Sequence, residues 1–280
     1  MKKPQWITAG AVVVLTVFLY VLTVNDIFGY RPKKTDHTLA SDTAISVDTI
    51  IAHAKETLKP EQLTRLAFLE KAITRGDVHN QQIEAYHQLA HFWADSAHIF
   101  EPYAWYTAEA ARLENSQKSL TFAAHLFLNN LRAEGNPDLK KWKALQAKDL
   151  FERSLKINPD NDSTQVGLGA VLLFGNIGST PMEGILKIRQ VAERDSTNIY
   201  AQMMLGQASV MSRQFDKAIS RFLMVIKMQP QNLEAVLSLA EAYEQKSDRT
   251  NAIMWYKKSL ALINNDDLKN EVETRINELK

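Results

Sequence analysis

The 280 residues contain no cysteine. That excludes disulfides, thiolate nucleophiles and thiolate metal sites, and it leaves the redox compartment open. Glycine and proline are scarce, at ten and eight, in a chain that is 45% hydrophobic, so long helices are favoured over a turn-rich β fold. Excess charge is missing as well. With 33 basic against 32 acidic residues the formal net charge is +1, which exerts no long-range pull on polyanions, and no nucleic-acid partner is expected. There is no Gly-rich phosphate loop and no G-x-S-x-G, so the chain reads as a non-enzyme without a cofactor. The run "GLGAVLLFG" does hold glycines, but with helix-packing roles.

What is present begins with the run Trp6 to Val24, "WITAGAVVVLTVFLYVLTV", which carries no charge. As a helix it would measure about 28 Å, close to the thickness of a bilayer core. Trp6 at one end and Phe28 and Tyr30 at the other sit where amphipathic rings prefer the headgroup layer. No small-x-small cleavage site follows before Asn25 and Asp26, so residues 1–25 read as an uncleaved transmembrane anchor. Lys2 and Lys3 before an apolar run resemble a bacterial signal anchor, which implies a periplasmic C-terminal domain. The basic residues after the span, Arg31, Lys33 and Lys34, argue for the cytoplasmic face as the alternative. Residues 26–45 are polar, include Pro32 and show no apolar period, so they read as a tether.

Beyond the tether the informative feature is self-similarity. Ala218 and Ala252, Phe222 and Tyr256, Gly206 and Ala240, and Leu205 and Leu239 are each 34 residues apart. One step earlier the same register meets Gly184 and Ile188. The pattern resembles the tetratricopeptide repeat, a 34-residue pair of antiparallel helices A and B. Its positions fall on Leu205, Gly206, Ala218, Phe222 and Pro230 in one unit, and on Leu239, Ala240, Tyr243, Ala252 and Tyr256 in the next, where Asn264 replaces proline. The preceding unit keeps Leu168, Gly169, Gly184 and Ile188, with three extra residues in "FGNIGSTP". Upstream, "AKDLFERSLKINP" fits helix B, but an eleven-residue insertion separates it from a helix A around Ala123, Ala124 and Phe127.

The resemblance implies an all-α solenoid of antiparallel helix pairs over residues 81–263, best matched from 162. Small residues let the paired backbones approach to about 8–10 Å. Helices of this length are marginal alone, so each pair requires its neighbours. Residues 46–80 read as a helical hairpin, a divergent first repeat, and residues 264–280 as a capping helix with Leu268, Val272, Ile276 and Leu279 on one stripe.

Two features bear on function. In "HQLAH", His87 and His91 stand at helical spacing, and His91 and His125 each follow a small residue of helix A. A three-imidazole metal site is therefore one expectation, although Gln88 stands where a zinc protease places its glutamate. The other expectation is a groove along the A helices, which the resemblance implies is lined by Val166, Ala170, Leu173 and Phe174, then Met203, Gln207, Val210 and Met211, then Glu234, Glu241, Glu244 and Gln245. Such a surface suits an apolar or helical peptide segment, with methionine supplying adaptability. The expected partners are another protein or peptide and the membrane, in envelope assembly or quality control. A metal-dependent protein built on His87, His91 and His125, and a spacer or self-associating scaffold, are the competing readings.

Overall fold

The computed structural model describes residues 45–75, 79–177 and 181–280. The apolar run of the expected anchor, and the tether up to residue 44, lie outside the described residues. Among the described residues no helix is long and apolar enough to cross a membrane.

Every described element is helical. The order is α1 (Val47–Glu56), α2 (Pro60–Arg75), α3 (His79–His91), a π-turn (Phe92–Ala97), α4 (Phe100–Glu114), α5 (Gln117–Leu131), α6 (Pro137–Ile157), α7 (Asp162–Phe174) and α8 (Pro181–Arg194). Then follow α9 (Ile199–Met211), α10 (Phe215–Met228), α11 (Leu233–Gln245), α12 (Arg249–Leu260) and α13 (Asp266–Glu278). Consecutive helices pair antiparallel from α3 onward, with α3, α5, α7, α9 and α11 in the A position and α4, α6, α8, α10 and α12 in the B position.

Three of the A helices, α7, α9 and α11, start for a shared local reason. Asn161, Asn198 and Asn232 are N-caps whose side-chain carbonyls accept from the backbone N–H of Thr164, Ala201 and Ala235. This satisfies donors that the first helical turn leaves free. The A–B turns repeat too. Arg213 and Ser247 take left-handed φ of 57° and 68°. In each turn the next residue's N–H reaches back to close the helix end, Gln214 to Ser209 O at 2.8 Å and Asp248 to Tyr243 O at 2.9 Å.

Packing follows the 34-residue register. A Cβ on Gly206 would lie 2.4 Å from the Phe222 ring, so the glycine is the space into which that ring fits. Gly169 of α7 and Gly184 of α8 bring two backbones together, since a Cβ on Gly184 would lie 2.4 Å from the Gly169 carbonyl oxygen. Ala240, Ala252 and Tyr256 repeat the arrangement in the last pair and join Ile263, Val272 and Ile276 in one apolar cluster, which α13 closes at the C-terminal end.

Two regions differ from the sequence expectation. The eleven-residue insertion is largely helical. Most of it extends α6 at its N-terminus, where Trp142 and Ala144 are buried and Trp142 meets Phe127 edge-on at 5.4 Å. Helix propagation there adds a hydrogen bond per residue and a buried indole, so the extra residues gain more as helix than as coil. The helices of 46–80 form, yet each packs chiefly on the next pair, α1 against α4 and α2 against α3. Lys55 of α1 and Glu70 of α2 share an ion pair at 2.8 Å.

Candidate partner-binding face

Successive A helices touch one another, α5 to α7, α7 to α9 and α9 to α11, and so form one continuous layer. Repeat positions along this layer carry Ser163, Tyr200 and Glu234, then Val166, Met203 and Leu237, then Ala170, Gln207 and Glu241.

The residues expected to line a groove divide. Val166, Ala170, Leu173, Met203 and Gln207 are buried, Phe174, Val210 and Glu244 are half-buried, and Met211 and Glu241 are exposed. The apolar stretch of α7 is therefore covered by the chain itself. His125 of α5 and Tyr200 of α9 bring their rings to 5.7 Å, and His125 Nε2 lies 3.3 Å from Ser163 Oγ at the start of α7. At the other end of α7, the Arg132 guanidinium sits 5.2 Å over the Phe174 ring and reaches Glu234 of α11 at 3.7 Å. Glu234 also accepts from Gln207 Nε2 at 3.0 Å, while Gln207 Oε1 has no partner among the described residues. Burying α7 behind these side chains removes apolar surface from water.

Among the described residues, three clefts that open beside A helices bear on binding. The first, about 270 Å³, lies between His87, His91, Tyr103, Glu114 and the 58%-exposed Phe122. The second, about 300 Å³, is bounded by Leu128, Arg132, Phe174, Tyr200, Met203 and Glu234. The third, about 600 Å³, lies between α11 and α13, where Glu241, Glu244, Glu271 and Glu278 surround Arg275 above Leu237 and Leu268. Glu241 is exposed as a residue, but the protein atoms crowding its carboxyl in the cleft desolvate it, and this, followed by the neighbouring Glu244, pushes the carboxyl above its ordinary value. Glu244 goes the other way, because hydrogen bonds from Arg275 and the Tyr256 hydroxyl, together with the Arg275 charge, favour its ionised form despite burial. Burial raises the Tyr200 hydroxyl, and Glu234 adds to the shift.

The expected three-histidine site does not form. His87 Nε2 lies 2.7 Å from Glu114, His91 Nδ1 lies 3.2 Å from Asp95, and His125 turns to Ser163 and packs edge-on against Phe151 at 5.0 Å. Burial holds the His125 imidazole below its ordinary value. Among the described residues no group of three His, Asp or Glu side chains converges as metal ligands would. Matching repeat positions lie on different helices, and each imidazole is taken by its nearest neighbour before it could meet the others.

Sequence reasoning missed Arg132, Tyr200 and Phe122, and it did place Glu234 on the A-helix face. Tyr200 was within reach, since it stands 34 residues before Glu234 and one turn before Met203 on the same face.

No family model matches the chain, and no curated protein matches it. Among solved structures, the tetratricopeptide-repeat protein YrrB, described as having an unusual peptide-binding site, is 18% identical; the alignment covers 74% of this chain and 97% of YrrB, with a TM-score of 0.42. MamA from Desulfovibrio magneticus RS-1 is 19% identical over 64% of this chain and 94% of its own, with a TM-score of 0.44.

Proposed function

We propose that this chain is a helical-repeat scaffold that binds a protein partner along its layer of A helices while the run Trp6 to Val24 holds it in a membrane. What supports the reading is a set of three open clefts, one beside α3 and α5, one across α5, α9 and α11 and one beside α11, which suits contact with an extended or helical segment rather than with a compact small molecule. The covered α7 narrows the earlier expectation. Contact falls on the two ends, an aromatic and imidazole surface at Phe122 and an acidic surface at Glu241, Glu271 and Glu278. A partner segment with apolar side chains at one end and cations at the other fits both. We place the repeat domain outside the cytosol, in envelope assembly or quality control.

Site-specific photo-crosslinking in intact cells tests the binding face. A photoreactive residue at Phe122 or Gln245 is expected to capture a partner, and one at Met254 on a B helix is not. Capture at Met254 alone sinks the A-layer reading, and no capture at any position favours a spacer. Met211 is a sound position for a disruptive Met211→Asp change because it is 57% exposed. Met203 is unsuited, since an aspartate there would be buried.

Anchoring is tested separately. The full chain is expected to stay with membranes after an alkaline carbonate wash, and a variant lacking residues 4–30 to be released. Protease added to spheroplasts should digest residues 45–280. Protection from it would place the domain on the cytoplasmic face.

A further inference from the structure

Sharing no lining residue with the three clefts beside the A helices, a further cleft of about 550 Å³ lies between α8, α9 and α10. Its apolar part is formed by Ile185 and Ala192 of α8 with Leu205 and Ala208 of α9. Around this run three cations, Arg189 of α8 and Lys217 and Arg221 of α10, against one carboxylate, Glu193.

Arg221 is held in place there. Its Nη1 donates to Gln202 Oε1 at 2.6 Å, and Gln202 is fixed in turn by its Nε2 donating to the Ser196 carbonyl at 2.9 Å. Gln202 is only 3% exposed, so a buried amide on α9 is committed to aiming a guanidinium of α10 at the cleft. A guanidinium has five N–H donors, which leaves most of those on Arg221 for a ligand. Among the described residues neither Arg189 nor Arg221 pairs with a carboxylate, although nearby Arg194 and Lys246 are paired with Asp162 and Asp216. Burial, and next the Arg189 charge, hold the Arg221 guanidinium below its ordinary value. Two neighbouring cations without a counter-charge repel each other, and an anion placed between them relieves that cost.

The shape narrows the anion. Arg221 is half-buried between helices, where a single extended chain can enter and a flat bilayer cannot. Glu193 on the rim and the net charge of +1 disfavour a dense polyanion. The mixed lining asks for an apolar side chain beside the carboxylate.

We propose that this cleft binds an extended acidic peptide segment, with a carboxylate between Arg189 and Arg221 and a neighbouring apolar side chain on Ile185 and Leu205. The site shares no residue with the clefts of the proposed partner face, so the two readings stand or fall separately.

Fluorescence anisotropy on the full chain in detergent tests it, with a labelled decapeptide of alternating leucine and glutamate as the probe and its leucine–glutamine counterpart as control. Saturable binding of the acidic peptide alone is expected, weakened about tenfold in Arg189→Gln/Arg221→Gln and further by added salt. Arg189→Gln by itself, at an exposed position, should weaken binding severalfold without changing the melting temperature. This separates lost contact from lost fold. Equal binding of the glutamine peptide, no saturable binding, or binding indifferent to both arginine changes would overturn the proposal. So would displacement of the probe by monomeric short-chain phosphatidylglycerol with no preference for the peptide, since the surface would then be a lipid site.

Discussion

Replacing Lys143 with alanine is expected to lower the stability of the α4–α6 region by about 3 kcal/mol, the low end of what removing one partner of a buried ion pair costs. Lys143 is 1% exposed. Its Nζ lies 2.5 Å from Glu134, 2.6 Å from Asn130 Oδ1 and 2.8 Å from Glu101, with the Phe100 ring at 5.2 Å. The alanine variant leaves two carboxylates facing each other around a cavity. Both keep some solvent contact, with side chains 22% and 14% exposed for Glu101 and Glu134, which is why the low end applies. The network ties the added turns of α6 to α4 and to the segment after α5, so the loss should be regional. Amide exchange is expected to speed up in α4 to α6 and to change little in α11 to α13. Uniform acceleration along the chain would contradict this.

Acid should act on the same contact. Burial alone would raise the Glu134 carboxyl, but the hydrogen bond from Lys143, the backbone N–H bonds of Asn136 and Gly135 and the Lys143 charge together hold it below its ordinary 4.5. A depressed carboxylate contributes stability above its unfolded value and loses it as pH falls through the folded one. Melting temperatures of the wild type should therefore drop below about pH 4.5, and the drop should be smaller in Glu134→Gln.

Gly184→Ala is the second large effect, and its sign is diagnostic. Helix propensity alone predicts a gain of about 1 kcal/mol, because glycine is the costlier residue inside a helix. The crossing predicts the reverse. The new Cβ would stand 2.4 Å from the Gly169 carbonyl oxygen and 2.9 Å from the Leu173 amide nitrogen, both backbone atoms that move only if α7 and α8 separate. Overpacking of this kind costs about 3 kcal/mol, so net destabilisation by about 2 kcal/mol is expected in urea melts followed by helical circular dichroism. Gly206→Ala should cost less, since the contact there is the edge of a ring, Phe222, that can tilt. A stabilised Gly184→Ala would mean that the two helices do not cross so closely.

These positions mark how far the sequence could be read. Gly206 opposite Phe222, Gly184 beside Gly169, and Ala252 with Tyr256 were legible because a contact within one repeat recurs at a fixed spacing, and a fixed spacing leaves a periodic trace. The stripe Val272 and Ile276 was legible for the same local reason, as a face of one helix. Lys143 left no such trace. Its burial depends on Glu101 and Glu134, 42 and 9 residues before it.

Composition and period alone therefore determined that the chain is helical, that its helices pair and stack, and which small residues sit at the crossings, because those properties depend on neighbours close in sequence. Only the tertiary structure decided which A-helix residues stay open to a partner. Val166 and Met211 look equally available on a helical wheel, yet one has no accessible surface and the other is 57% exposed. His125, Arg132 and Tyr200 contribute to that difference by reaching from flanking helices to α7, and side chains supplied by the neighbouring repeats leave no pattern in the segment they cover.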